Sequence, residues 1–299
     1  DMTHRRSRTE TEMLALLSGI AMEDDRVRAV VLNGSRVDPG VRPDPFQDYD
    51  VIFVVSEVES FVRDPDWPSR FGDMLILQTP DDMGDSAQRE PPGPRDSYAW
   101  LMQLADGNRV DLTAVRADRR DRVLTDSLRV LLLDKDGLFP PFPTPSDSSY
   151  HVRPPTQKQY DDCCNEFLWV TPYVAKALWR DQMTGARVML EQLVRPQLMK
   201  MLAWHVGMRR GYAVSVGSYY KKLDRLLSPR FRSALARTWP DGHPERVWDA
   251  LLQMGRLFRL AAVEIASESG FGYPEVDHRR VMTYVRHVRQ LPPDAAAVY

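Results

Sequence analysis

Residues 30–55 read VVLNGSRVDPGVRPDPFQDYDVIFVV, and their pattern indicates the fold class. Two apolar runs, Val30–Leu32 and Tyr49–Val55, flank a polar connection that holds the turn Asn33-Gly34. Continuous apolar runs of this kind are typical of strands that are buried on both faces. We therefore predict two buried strands, with polar residues placed where the first one ends and the second one begins.

Further strand and helix signals surround this stretch. Strands are predicted at Met74–Gln78, a third apolar run, and in the hairpin formed by Leu101–Leu104 and Val110–Val115. Helices are predicted at Thr9–Ala21 and Glu57–Arg63. This alternation indicates an α+β (or α/β) domain built around a mixed sheet.

Prolines divide the chain. We predict an α+β domain over 1–138, a Pro-rich linker over 139–155 and an all-helical bundle over 156–299. A second Pro-containing stretch, 81–97, is predicted to be a mobile loop. In the bundle, the capping box of Thr156 and Gln159 opens a long helix. Later helices are predicted at Thr184–Arg210, Ser218–Leu227, Pro244–Ser269 and His278–Gln290.

Composition narrows the function classes. The 299 residues carry 40 basic and 42 acidic side chains, a formal net charge of −2, without the basic excess usual in nucleic-acid binders. No apolar run approaches the roughly 20 residues of a membrane span, and the polar start lacks the apolar core of a signal peptide. We expect a cytoplasmic monomer that binds neither membranes nor nucleic acid. The adjacent Cys163 and Cys164 are expected to be reduced and buried.

Carboxylates supply the chemistry. Asp48 and Asp50 are two residues apart at the start of a strand, so they are predicted to face the same side. Two such acids repel one another unless cations lie between them, and Mg²⁺ prefers carboxylate and phosphate oxygens. We predict two Mg²⁺ ions here, with Asp111 as the third carboxylate, either a ligand or a general base. The alternative is a solvated strand edge, which the apolar neighbours Phe46 and Val51–Phe53 disfavour.

The turn before these acids suits an anion. Gly34 permits a sharp backbone turn whose N–H groups can hold phosphate, and Ser35 adds a hydroxyl donor. Each motif is weak by itself, since most Gly-Ser turns and Asp-x-Asp pairs have no catalytic role. Their order along the chain, with each on a predicted strand, is specific.

This order resembles the hGS…DxD…hDh signature of the polymerase-β-like nucleotidyltransferases, and four stretches of the first half are similar to the aminoglycoside 6-adenylyltransferases, the streptomycin-modifying enzymes. The resemblance continues in the second half and spans nearly the whole chain. The stretches that carry it are Val30–Val37, Phe46–Asp50, Asp106–Thr113, Leu131–Asp136, Asp162–Phe167, Lys176–Arg180, Trp204-His205 and Tyr284–Arg286.

The resemblance implies a nucleotidyltransferase domain and a helical domain with ATP and the acceptor between them. Asp48 and Asp50 would hold Mg²⁺ on the ATP phosphates, and Asp111 would remove the proton of the attacking hydroxyl. Gly34, Ser35 and Arg36 would contact the nucleotide.

One stripe of the helix after Thr156 runs from acids through aromatic residues to cations. We predict that its cations, Lys176 and Arg180, meet the triphosphate, and that Asp162 and Glu166 attract a cationic acceptor. The alternative is a solvated helix face. The full stripe is Asp162, Glu166, Trp169, Tyr173, Lys176 and Arg180.

The next predicted helix, Thr184–Arg210, carries two further polar residues of interest. Glu191 is predicted to be an acceptor-binding acid or the partner of His205, which we expect to be a hydrogen-bonded core histidine.

We therefore predict AMP transfer from ATP to a hydroxyl of a streptomycin-type aminoglycoside, at the 6-position, with release of pyrophosphate. One rival keeps the chemistry with another acceptor, such as a different antibiotic, a tRNA end or a protein side chain. The other rival is a non-catalytic nucleotide-binding module, which the intact carboxylate set disfavours.

Overall fold

The computed structural model describes residues 6–84 and 93–299, which form two compact units. The units are Asp1–Ser149 and Tyr150–Tyr299. Residues 85–92 of the predicted 81–97 loop lie outside the described residues, between a short 3₁₀ turn at Pro80–Asp82 and a strand that starts at Ser97.

A mixed sheet forms the first unit, in the strand order β3-β4-β5-β2-β1-β6 over the described residues. Strands β2 and β5 pair in parallel, and the other neighbours pair antiparallel. The strand bounds are β1 Val27–Asn33, β2 Tyr49–Val55, β3 Met74–Gln78, β4 Ser97–Leu104, β5 Arg109–Arg116 and β6 Arg129–Asp134. The predicted mixed-sheet α+β class is confirmed.

One prediction about a strand was wrong in detail, and one strand was missed. Strand β3 lies at the sheet edge, and its Leu75 and Ile76 are half or more exposed rather than buried. An apolar run indicates a strand but not its place in the sheet, since strand order depends on contacts distant in sequence. Strand β6 was missed, although Val130–Leu133 is a continuous apolar run; all six residues of the strand are half-buried.

The two faces of the sheet are covered unequally. On one face, helix α1 (Glu10–Glu23) and the 3₁₀ segment Trp67–Phe71 pack against alternate residues of the central strands. A smaller cluster covers part of the other face, where the 3₁₀ segment Ala117–Thr125 and Phe139 meet β1 and β2. A short helix, α2 (Glu59–Val62), follows β2.

The second unit is helical over its described length. Helix α3 (Gln157–Trp179) opens with the predicted capping box, in which Thr156 caps the N–H of Gln159 and the Gln159 side chain accepts from Thr156. The remaining bounds are α4 Met183–Met189, a π-helical turn Leu190–Val194, α5 Arg195–Arg209, α6 Leu223–Leu226, α7 Pro229–Ala236, α8 Pro244–Ser269 and α9 Glu275–Gln290.

Packing in this unit follows the predicted helix faces. Cys163, Phe167, Val170 and Val174 of α3 lie in the core, with the Phe167 ring stacked on Phe258 at 3.9 Å between centroids. Both cysteines are buried and unbridged, and burial raises the pKa of each thiol to about 12. None of the helices in the described residues is long and apolar enough to cross a membrane.

Candidate active site

Sheet register brings the predicted acids together. Asp50 on β2 is paired with Asp111 on β5 and, on its other side, with Asn33 on β1. Residues paired across neighbouring strands project from the same face, so these three side chains form one polar row. Their strand neighbours Tyr49 and Val51 face the main core instead. Because β2 is a central strand, the alternative of a solvated strand edge is excluded for Asp50.

Phe46 was expected, as an apolar neighbour, to disfavour a solvated strand edge, and this expectation was wrong. Phe46 is 88% exposed and covers no part of the site. Strand pairing on both sides of β2, rather than an apolar residue before it, keeps Asp50 away from an edge.

Gly34 lies against the carboxylate of Asp50. A Cβ built on Gly34 would be 2.1 Å from Asp50 Oδ2, and the residue has a φ of +78°. Both the contact and the left-handed backbone therefore require glycine. The chain can follow β1 into the 3₁₀ turn Gly34–Val37 directly beside Asp50 only because no side chain intervenes.

Arg36 holds the segment that precedes β2. Its guanidinium donates to the carbonyl oxygens of Gln47 at 2.7 Å and Asp48 at 3.2 Å, and lies 3.6 Å from the centre of the Tyr49 ring. In return, the Gln47 amide donates to Ser35 O at 3.0 Å. The structure thus gives Arg36 a positioning role: it fixes the backbone at Asp48 relative to the Gly34–Val37 turn.

Arg109 binds the acids from within the same row. Its Nε and Nη2 donate to the two Asp111 carboxylate oxygens at 2.8 and 2.9 Å, and Nε is 3.7 Å from Asp48 Oδ2. The hydrogen bond with Asp111 raises the pKa of Arg109 further, with smaller contributions from Asp48 and Asp50. Sequence reasoning missed this residue. Its signal was available, since Arg109 lies two residues before Asp111 and therefore on the same strand face.

Asn33 is a second functional candidate that was missed. It is 7% exposed, its amide donates to Asp126 at 2.9 Å, and its Oδ1 has no hydrogen-bond partner in the described part of the chain. A buried acceptor without a partner is uncommon in folded proteins and calls for a donor or a cation.

The carboxylates of the row have the chemistry that a divalent cation prefers. A guanidinium bound to Asp111 and close to Asp48 stands where positive charge is favoured. Within residues 6–84 and 93–299, however, no three His, Cys, Asp or Glu side chains are arranged so that they could hold a metal ion by themselves. Mg²⁺ keeps several water and phosphate ligands, so an incomplete set of protein ligands is what a nucleotide-bound Mg²⁺ needs.

The site residues that were predicted in the second unit have different local contacts. Asp162 is exposed and bound to Lys158 Nζ at 2.5 Å, whereas Glu166 is exposed one turn further along α3. Glu191 is ion-paired with Arg195 inside the π-helical turn. The partner of His205 is Glu264, at 2.6 Å from Nε2, so the prediction of Glu191 as its partner was wrong. His205 itself is 5% exposed and hydrogen-bonded, as expected.

Lys176 lies at the end of an aromatic groove. Trp169, which is 63% exposed, stands edge-on to Tyr173, and Lys176 Nζ is 5.0 Å from the Tyr173 ring. These three residues line a groove of about 990 Å³ between α3 and the start of α9. Arg180 is exposed and lies outside it, by a smaller cavity that it shares with Lys176.

Comparison with known proteins places the chain in a family. The model of the streptomycin adenylyltransferase family matches residues 7–288. An aminoglycoside 6-adenylyltransferase from Bacillus subtilis (strain 168) is 35% identical over 272 residues, 90% of this chain and 94% of that protein. An enzyme of the same name from Campylobacter jejuni is 35% identical over 280 residues, 93% and 95% of the two chains.

A crystal structure of an aminoglycoside 6-adenyltransferase from Bacillus subtilis aligns with 95% of this chain and 100% of its own, at 30% identity and a TM-score of 0.48. The identity and length of the sequence matches are sufficient to establish kinship without it. On the family-model match over residues 7–288 and on these relatives, the chain is a nucleotidyltransferase and belongs to the streptomycin adenylyltransferase family.

Proposed function

We propose that this protein transfers AMP from ATP to a hydroxyl of an aminoglycoside and releases pyrophosphate. The observation that carries the proposal is the facing pair Asp50 and Asp111, beside a glycine turn, in a chain of this family. The relatives named above are 6-adenylyltransferases, which supports an aminoglycoside acceptor; the 6-hydroxyl of streptomycin is our specific proposal.

In the proposed reaction, the acceptor oxygen attacks the α-phosphorus and the bond from this phosphorus to the bridging oxygen breaks. The acceptor proton passes to the Asp111 carboxylate, and the β- and γ-phosphates leave as pyrophosphate. Two Mg²⁺ ions bound by Asp48, Asp50 and Asp111 would supply the positive charge that holds the triphosphate and stabilises the leaving group.

Residues around the row orient the nucleotide. Gly34 leaves room for close approach, and the backbone and hydroxyl of Ser35 are proposed to meet the phosphates. Arg36 is proposed to act indirectly, by fixing the carbonyl of Asp48 and hence its side chain. Lys176 and Arg180 are proposed to supply further positive charge to the triphosphate.

The helical region is proposed to bind the acceptor. Glu166 and Asp162 give α3 an acidic surface that would attract a polycation, and Trp169 offers an exposed aromatic surface to it. We propose domain limits of 1–138 and 156–299 joined by 139–155, with a monomer in the cytoplasm as the working form.

Acceptor-dependent pyrophosphate release from Mg-ATP tests this proposal. We expect release with streptomycin, and a Glu166→Lys variant should raise KM for streptomycin more than KM for ATP, because only the acceptor is cationic. The Glu23→Lys variant, at an exposed position at the end of α1, is the control for the same charge reversal. A lack of release with every aminoglycoside, from protein that binds Mg-ATP, would overturn the proposed acceptor.

A further inference from the structure

The second unit contains a cavity of about 780 Å³ that the proposed chemistry does not use. Helices α5, α7 and α8 and the segment around α6 surround it. The lining of this cavity includes neither the acids Asp48, Asp50 and Asp111 nor the cations Lys176 and Arg180 that were assigned to the triphosphate. The cavity therefore needs an account of its own.

Four arginines line this cavity. Arg209, Arg210, Arg225 and Arg230 are exposed, and none of them makes an ion pair or a side-chain hydrogen bond with another residue that the structure describes. Elsewhere in this unit, cations such as Arg195 and Arg289 are paired with carboxylates. Four guanidiniums beside one cavity repel each other, and the cluster is favourable only with anions near it.

The acids of the same cavity do not neutralise this charge. Glu264 is bound to His205 at 2.6 Å, and Glu268 is exposed without an ion pair among the described residues. His205 lines the cavity, is 5% exposed, and stacks on Phe231 at 4.2 Å between centroids. Its Nδ1 is buried and lacks a hydrogen-bond partner within the described residues. A buried polar atom without a partner commonly marks a place where a ligand or water completes the network.

We propose that this cavity is a binding site for a small polyanion that carries two or more phosphate groups. Guanidiniums bind phosphate oxygens in pairs of parallel hydrogen bonds, and four of them match the charge of a polyphosphate better than that of a single carboxylate. The volume admits more than one phosphate group. The proposal does not depend on adenylyl transfer.

Calorimetric titration of the full chain with sodium tripolyphosphate tests the site, with EDTA present so that no metal–nucleotide site can form. We expect saturable binding that weakens as salt is added. An Arg225→Gln/Arg230→Gln variant should bind at least about tenfold more weakly, because each substitution removes a charge-assisted contact. Both side chains are exposed, so the fold should be retained, which thermal unfolding checks.

Two controls separate this site from general charge and from the proposed active site. The Arg256→Gln/Arg279→Gln variant removes the same charge from exposed positions outside the cavity and should bind like the wild type. The Lys176→Gln/Arg180→Gln variant, which removes the cations assigned to the triphosphate, should also keep its affinity. Metal-free ATP identifies the source of the phosphates: tighter binding than tripolyphosphate indicates a nucleotide, and equal binding an inorganic polyphosphate. Unchanged affinity of the Arg225/Arg230 variant, or an equal loss in the Arg256/Arg279 variant, would overturn the proposal.

Discussion

At the scale of single residues, the site depends on distances that leave no room for a side chain. Gly34 directly follows β1 and Asp50 lies on β2, and the register of β1 with β2 brings the two residues into contact. The arrangement gives the Asp50 carboxylate a backbone neighbour rather than a side chain. A substitution at Gly34 should therefore disturb catalysis and stability together.

We predict that Gly34→Ala lowers the free energy of unfolding by at least about 1–2 kcal/mol, from the left-handed backbone and the clash with Asp50. The rate of AMP transfer should fall at least about tenfold, because Asp50 must move. Chemical denaturation and steady-state kinetics measure both effects. Gly19→Ala is the control, since nothing lies within 4 Å of its added Cβ in α1. Wild-type kinetics in Gly34→Ala would contradict the account.

Arg109 is predicted to compete with metal for the acids. Its guanidinium is bidentate on Asp111 and near Asp48, so a cation that binds there must displace it. We predict that Arg109→Gln binds Mn²⁺ about tenfold more tightly than the wild type in the absence of nucleotide. Electron paramagnetic resonance of free Mn²⁺ gives the affinity, and Arg119→Gln, at an exposed ion pair, is the control. Equal or weaker Mn²⁺ binding by Arg109→Gln would refute this competition.

At the scale of elements, the turn between α4 and α5 has a structural explanation. Arg195 is 5% exposed; it donates to Thr238 O at 2.7 Å, and its guanidinium lies 3.4 Å from the centre of the Trp239 ring. Glu191 neutralises it from within the π-helical turn. This pair ties the helix to the segment after α7.

We predict that Glu191→Gln lowers the free energy of unfolding by about 1–2 kcal/mol, since the buried Arg195 loses its counter-charge while Glu191 itself stays partly solvated. KM for the acceptor should change less than twofold. Urea denaturation and steady-state kinetics decide between this role and direct binding of the acceptor. A rise in KM for the acceptor without a change in the free energy of unfolding would indicate that Glu191 binds the acceptor.

Elements that are determined by residues close together in sequence were predicted correctly. The capping box at Thr156 and the limits of α8, Pro244–Ser269, were predicted because caps and apolar periodicity lie within a few residues of each other. The exposure of β3 and the pairing of Asp50 with Asp111 depend on strand order and register. Strand order and register depend on contacts between segments that are distant in sequence, which local signals do not reveal. Only the ordered motif, read with the family resemblance, allowed the acids to be grouped before the structure was known.

At the scale of the whole molecule, the segment before α1 is tied to the β4–β5 hairpin. Arg8 Nε donates to Asp106 Oδ2 at 2.6 Å, and the same guanidinium donates to Phe71 O at 2.8 Å. Burial alone would raise the pKa of Asp106, but hydrogen bonds from Arg8 and Asn108 outweigh it and hold the pKa at about 2. The turn at Asp106–Asn108, which precedes Asp111 on β5, is thereby linked to the segment before α1.

This pKa predicts how stability depends on pH. The folded value is lower than the ordinary aspartate pKa of about 3.9, so the contribution is fully present above that value and is lost as pH falls towards 2. We predict that Asp106→Asn costs about 1–2 kcal/mol at pH 7 and progressively less below pH 4. Urea denaturation at several pH values measures the difference, with the exposed Asp294→Asn as the control. A difference that does not vary between pH 7 and pH 3 would contradict the assignment.

We propose that the acids Asp50 on β2 and Asp111 on β5 form the catalytic centre of this nucleotidyltransferase. Pyrophosphate release from Mg-ATP and an aminoglycoside, compared between wild type, Asp50→Asn, Asp111→Asn and the exposed control Asp66→Asn, tests it most directly. We predict a fall of at least about 10³-fold for both row variants, with folding retained, and wild-type rates for the control. Rates within tenfold of wild type in either row variant would place the chemistry elsewhere.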